Sequence, residues 1–149
     1  MRKDVAKKWI KALKSGKYKQ GTGFLKHYNS KGEAKHCCLG VLCELYNDAM
    51  KKNHKKTLVM KNKFDDGDYN NASGNYYGYA TFNGKDQNLP ETVRKWAGIK
   101  TNIGAFPDIT IEQEDHGKIE ILTSLADIND NGTKFKTIAK IIEKNIDTL

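Results

Sequence analysis

The apolar residues of the first segment fall at helical spacing. Val5, Trp9, Ala12 and Leu13 recur between lysines, Asp4 suits the start of a helix, and Ser15-Gly16 offers a stop, which predicts a helix over 4–15. Gly21-Thr22-Gly23 then loosens the chain. Two short stretches, 24–29 and 33–37, flank Ser30-Lys31-Gly32 as strands flank a hairpin turn. From Cys38 the pattern changes. Leu39, Leu42, Cys43, Leu45, Tyr46 and Ala49 cover much of a helical circumference, which predicts a helix from Cys38 to Met50 that is buried on most sides.

Beyond it, 51–56 reads as a lysine-rich loop, 57–64 as a strand, and 65–74, rich in Asp, Asn and Gly, as an exposed loop. Residues 76–82 alternate like a strand and end at an Asn83-Gly84 turn; Leu89-Pro90 opens a short helix through Trp96, stopped by Gly98. Stretches 109–112 and 118–121 flank Glu114-Asp115-His116-Gly117 as a further hairpin. Leu122, Leu125 and Ile128 share one helix, Asn129-Asp130-Asn131-Gly132 is a turn, and Phe135, Ile138, Ala139, Ile142 and Ile146 share the last helix, with Thr133 as its N-cap. These elements predict an α+β fold: a single compact domain in which terminal helices pack with short antiparallel strands and a buried central helix.

Composition narrows the class. A chain of 149 residues fits one domain, and its longest apolar run, Cys37 to Cys43, is far short of the roughly 20 residues of a membrane span. With a charged amphipathic N-terminus in place of a signal peptide, the expectation is a soluble, unexported protein without a membrane partner. Three cysteines, two of them adjacent, cannot build a secreted disulfide scaffold and imply the reducing cytoplasm.

Charge is unevenly spread. Residues 1–63 carry 17 Lys or Arg against 4 Asp or Glu, and residues 64–149 carry 9 against 14. The positive field of the N-terminal half attracts polyanions: nucleic acid, nucleotides or phosphate-bearing metabolites. Only Arg2 and Arg94 are arginines, and this lysine bias favours charge attraction over the arginine forks that read bases.

The run from His36 to Cys43 invites a zinc reading, but zinc sites pair cysteines through a spacer of two to four residues, and adjacent cysteines do not. On a helix Cys37 and Cys38 point about 100 degrees apart, and small core hydrophobes are the better reading. Asp127 to Gly132 matches half of a calcium loop, but Ile138 stands where the bidentate glutamate belongs. A turn explains these residues, so no metal ligands and no cofactor are assigned. The last two helices lack a following recognition helix with phosphate contacts, which demotes a DNA reader.

Lys17, Tyr18, Lys19 and Gln20 combine charge, a stacking ring and an amide in one segment that could hold a nucleotide, or else form a solvated loop. Tyr69, Tyr76, Tyr77 and Tyr79 could stack a base or line a sheet face.

The spacing Trp9, Ala12, Leu13, Ser15-Gly16, Tyr18, Gln20, Gly23 and Leu25, followed by Cys37-Cys38-Leu39-Gly40-Val41-Leu42-Cys43, resembles a widespread family of small phage and prophage proteins. The likeness continues through Leu89-Pro90, Val93 and Trp96, then Leu125, Asn129-Asp130, Gly132, Phe135, Ile138-Ala139 and Ile142, and is weakest over 51–80. The doublet-cysteine motif identifies the family and no chemistry. The resemblance implies a viral accessory protein in the cytoplasm of an infected bacterium. By analogy with phage biology, it implies sequestration of a nucleotide immune signal such as an ADP-ribose derivative or cyclic dinucleotide.

The expected activity is therefore binding of a small anionic nucleotide-type ligand, with no catalytic residue assigned. Lys17, Tyr18, Gln20 and His36 are the expected contacts, and a homo-oligomer would complete the pocket. The alternatives are an enzyme cleaving such a signal with His36 or His27 as acid or base, a basic nucleic-acid-binding protein using Lys51, Lys52, Lys55 and Lys56, and an inhibitor of a host protein.

Overall fold

The computed structural model describes residues 1–64, 78–106, 111–115 and 118–149. The first helix, α1 (Lys3–Lys14), forms where the 3.6-residue period puts Val5, Ala6, Trp9 and Leu13 on one face, and all four are buried. Trp9 Nε1 donates to the Cys38 carbonyl at 2.9 Å, so the largest core side chain keeps its polar atom satisfied.

Three short strands follow: β1 (Lys19–Gln20), β2 (Lys26–Tyr28) and β3 (Ala34–His36). The β2–β3 hairpin is antiparallel as expected, but β1, unforeseen in the sequence, pairs with β3 in parallel, so the sheet is mixed. The central helix α2 (Cys38–Lys52) runs two residues past the expected end, with Lys51 and Lys52 in its last turn, where cations favour the helix dipole. Every residue from Cys38 to Cys43 is buried. Cys37 is the N-cap, its sulfur accepting from Gly40 N at 3.4 Å, and all three cysteines are free thiols.

Next come β4 (Met60–Phe64), β5 (Gly78–Phe82) and α3 (Glu91–Ala97), which ends on Gly98 in the left-handed conformation at φ 65°. The five strands order as β1-β3-β2-β5-β4. The expected loop over 65–74 and the residues Tyr69, Tyr76 and Tyr77 lie outside the described residues.

A separate antiparallel hairpin pairs β6 (Ile111–Asp115) with β7 (Lys118–Leu122). Glu114 and Asp115 extend the strand where a turn was expected, while 116–117 lie outside the described residues. Leu122 also belongs to this strand and not to the following helix. Helix α4 (Leu125–Asp130) starts only at Ser124, whose hydroxyl accepts from Asp127 N at 3.1 Å and donates to Asp127 Oδ2 at 2.6 Å.

The last helix, α5 (Phe135–Lys144), buries Phe135, Ile138, Ala139 and Ile142 and packs on α1. Thr133 is not its N-cap. Lys134 holds that position without a side-chain cap, and Gln20 Oε1 from β1 accepts instead from Phe135 N at 3.0 Å. The fold is α+β, with one hydrophobic core drawing on α1, α2, α3, α4 and α5 together. No helix among the described residues is long and apolar enough to cross a membrane.

Candidate functional site

Strand alternation decides which side chains share a face. In the β2–β3 hairpin Lys26 pairs with His36, and His27 pairs with Lys35, so consecutive residues point to opposite sides of the sheet. Two clefts result. Lys26 and His36 line one; His27 and Lys35 line the other.

The first cleft has a volume of about 390 Å³ and is walled by Lys17, Tyr18, Lys19 and Glu33 together with Glu44 and Asp48 of α2. Within it Glu44 Oε1 accepts from Lys26 Nζ at 2.9 Å and lies 3.3 Å from His36 Nε2. Burial opposes ionisation of Glu44, but the hydrogen bonds from His36 and Lys26 and the nearby Lys26 charge outweigh it and hold the carboxyl down at about 2. Lys19 is likewise paired, with Glu33 at 2.6 Å. The Tyr18 ring meets His36 edge-on at 5.3 Å, and Lys17 Nζ stands 5.1 Å from the Tyr18 centroid. Three lysines therefore face three carboxylates, and the cleft carries little net charge.

The second cleft, about 240 Å³, lies between the end of β1 and the α4–α5 turn, lined by Gln20, Gly21, Thr22, His27, Lys35, Gly132 and Lys134. Lys35 and Lys134 have no ion pair among the described residues, and no carboxylate is among the lining residues. His27 is buried; burial first, then the charges of Lys35 and His36, lower its imidazole to about 4. It is neutral at pH 7. The chain reaches this depth because residue 21 is glycine: a β-carbon there would stand 2.2 Å from His27 Cε1.

The four contacts expected from the sequence are thus split. Lys17, Tyr18 and His36 line the first cleft, while Gln20 lines the second. Gln20 is also committed to the fold: Nε2 donates to Thr133 O at 2.7 Å and to Asn129 Oδ1 at 3.3 Å, and Oε1 caps α5. Asn129, part of the apparent calcium loop, spends its own amide on Gly21 O and Cys38 N. Tyr79 of β5 stacks on Phe24 at 4.7 Å and 20°.

Sequence reasoning passed over Lys35 and Lys134 because nothing local marks them among 24 lysines. The signal that could have found Lys35 is the hairpin register, which sets it opposite His27.

A family model described as a domain of unknown function, DUF8296, matches residues 1–146. The chain belongs to that family. No curated protein and no solved structure matches it. For this DUF8296 chain the two clefts themselves are what bears on activity.

Proposed function

We propose that the protein is a non-enzymatic binding protein for a small phosphate-bearing ligand of the nucleotide type, held in the cleft beside Gly21. One observation carries this reading. Lys35 and Lys134 converge on a cleft that has no lining carboxylate, so their charge is available to an anion. Thr22, at the same wall, adds a hydroxyl of the kind that hydrogen-bonds phosphate oxygens. His27 fits binding better than acid catalysis. With its imidazole lowered to about 4, it is not an imidazolium at neutral pH and lacks the acidic proton that a general acid gives to a leaving group.

The likeness to phage proteins extends the proposal to a biological role: capture of a nucleotide signal of bacterial immunity in the host cytoplasm. Pyrophosphate, ADP-ribose and a cyclic dinucleotide are the probes to titrate. Binding should weaken by about tenfold or more with each of Lys35→Glu and Lys134→Glu, the scale of losing a charge-assisted hydrogen bond. Ligand released by heating should be intact; recovery of a cleaved product would support the enzyme reading instead. No binding of any probe at low salt would overturn the proposal.

A further inference from the structure

Strand β4 stands last in the order β1-β3-β2-β5-β4, so one of its edges has no neighbouring strand among the described residues. The ladder fixes which groups occupy that edge. Val59 O accepts from Asn83 N at 2.8 Å, which puts residues 59, 61 and 63 in the hydrogen-bonded positions facing β5. Phe82, opposite Met60, spends its own N–H and C=O on Lys85 at 2.7 and 3.0 Å, and Ala80, opposite Asn62, is turned by the same alternation towards β2. The main-chain N–H and C=O of Met60 and Asn62 therefore point outward, and no partner meets them there among the described residues. Such an edge is a template for a further strand.

The side chains select what adds to it. Alternation puts Met60 and Asn62 on one face and Lys61 and Lys63 on the other. Both lysines are exposed and have no ion pair among the described residues. Residues 51–63 carry six lysines and no Asp or Glu. Val59 and Met60, 51% and 45% exposed, are the exposed large hydrophobics among the described residues. Antiparallel pairing of β4 with a second copy would set Lys61 beside Lys63, and like charges directly opposite are destabilising. The complementary strand is acidic on one face and apolar on the other.

We propose that the outer edge of β4 is a docking site for an extended acidic segment of a partner protein. The segment adds as a strand, with carboxylates alongside Lys61 and Lys63 and an apolar side chain against Met60. Main-chain hydrogen bonds to Met60 and Asn62 hold it, and the alternation of acidic and apolar residues selects it. No residue of β4 lines either cleft, so this surface is separate from the phosphate site.

The probe is a blocked heptapeptide alternating valine and glutamate, titrated into the native protein at low salt. It should bind, and the amide protons of Met60 and Asn62 should gain protection from hydrogen exchange. A peptide of the same composition with its glutamates in one block should bind about tenfold or more weakly, the scale of one or two lost hydrogen bonds. Asn62→Pro removes an outward N–H that the ladder to β5 does not use, a change that edge strands tolerate. It should weaken the alternating peptide by about tenfold and leave pyrophosphate binding unchanged. If that variant fails to fold, amide protection in the native chain still decides. Absence of binding, equal affinity for the two peptides, or binding without protection of the two amides overturns the proposal. Protection that grows with protein concentration alone would assign the edge to a second copy, and tighter binding of oligouridine than of the peptide would make it a nucleic-acid surface; either result also overturns it.

Discussion

The carbonyl oxygen of Leu25 lies 1.6 Å from where a β-carbon on Gly40 would stand, so α2 touches the backbone entering β2 with no side chain between them. This contact seats the central helix against the hairpin that carries His36 and Lys35.

Gly40→Ala should consequently cost about 3 kcal/mol or more, since the obstacle is backbone and cannot rotate away. Gly32→Ala is the control. Gly32 is at φ +73° with nothing within 4 Å of where an added methyl would stand, and its replacement should cost only about 1 kcal/mol of left-handed strain. Urea midpoints of the two variants separate the two effects.

Gln20→Ala removes three hydrogen bonds and leaves the first amide of α5 without its acceptor. A loss on the order of 1–3 kcal/mol follows. Hydrogen exchange should report it first at Phe135 and its neighbours. A uniform change across the fold would contradict the capping role.

Acid should weaken the fold in two steps of the same sign. His27 is lowered from 6.5 to about 4, so the unfolded chain binds its proton more readily, and stability present above about 6.5 is lost as pH falls towards 4. That step is worth up to about 3 kcal/mol. Glu44, lowered from 4.5 to about 2, contributes stability above 4.5 that is lost between 4.5 and 2. In denaturant titrations at a series of pH values, His27→Gln should flatten the upper step and leave the lower one.

Burial pushes the Cys37 thiol up to about 12 and the thiols of Cys38 and Cys43 well above their ordinary value. Labelling with a thiol reagent at pH 8 should proceed at the rate of unfolding. Rapid reaction of any one thiol in the folded state would contradict the burial of the cysteine run.

The helices α1, α2 and α5 were legible because long apolar periodicity survives without tertiary information. The pairing of β1 with β3 was not. Two residues carry no period, and their partners lie 16 positions away, at Lys35 and His36. Leu122 misled for a related reason: an apolar residue three positions before Leu125 fits a helix, and only its pairing with Ile111 makes it a strand residue. Thr133 has the right chemistry for a cap, yet the helix starts one residue later and takes its acceptor from a distant amide. At the candidate sites, Lys17 and Tyr18 stood out as neighbouring charged and aromatic residues, and His36 as the histidine that opens the cysteine run. What the sequence hid was the pleat, which separates His36 from Lys35 and gives each a different cleft.

Gly21 offers a way to silence one cleft without altering any charge. An added methyl would meet the His27 ring at 2.2 Å and Lys35 Cβ at 2.9 Å, so it either drives the imidazole into the cleft or fills that space itself. Alanine there acts as a plug, leaving the long-range field of the protein, and hence ligand encounter, as it was. A variant of this kind separates attraction from residence: an anion would still be drawn to the surface, and find nowhere to stay.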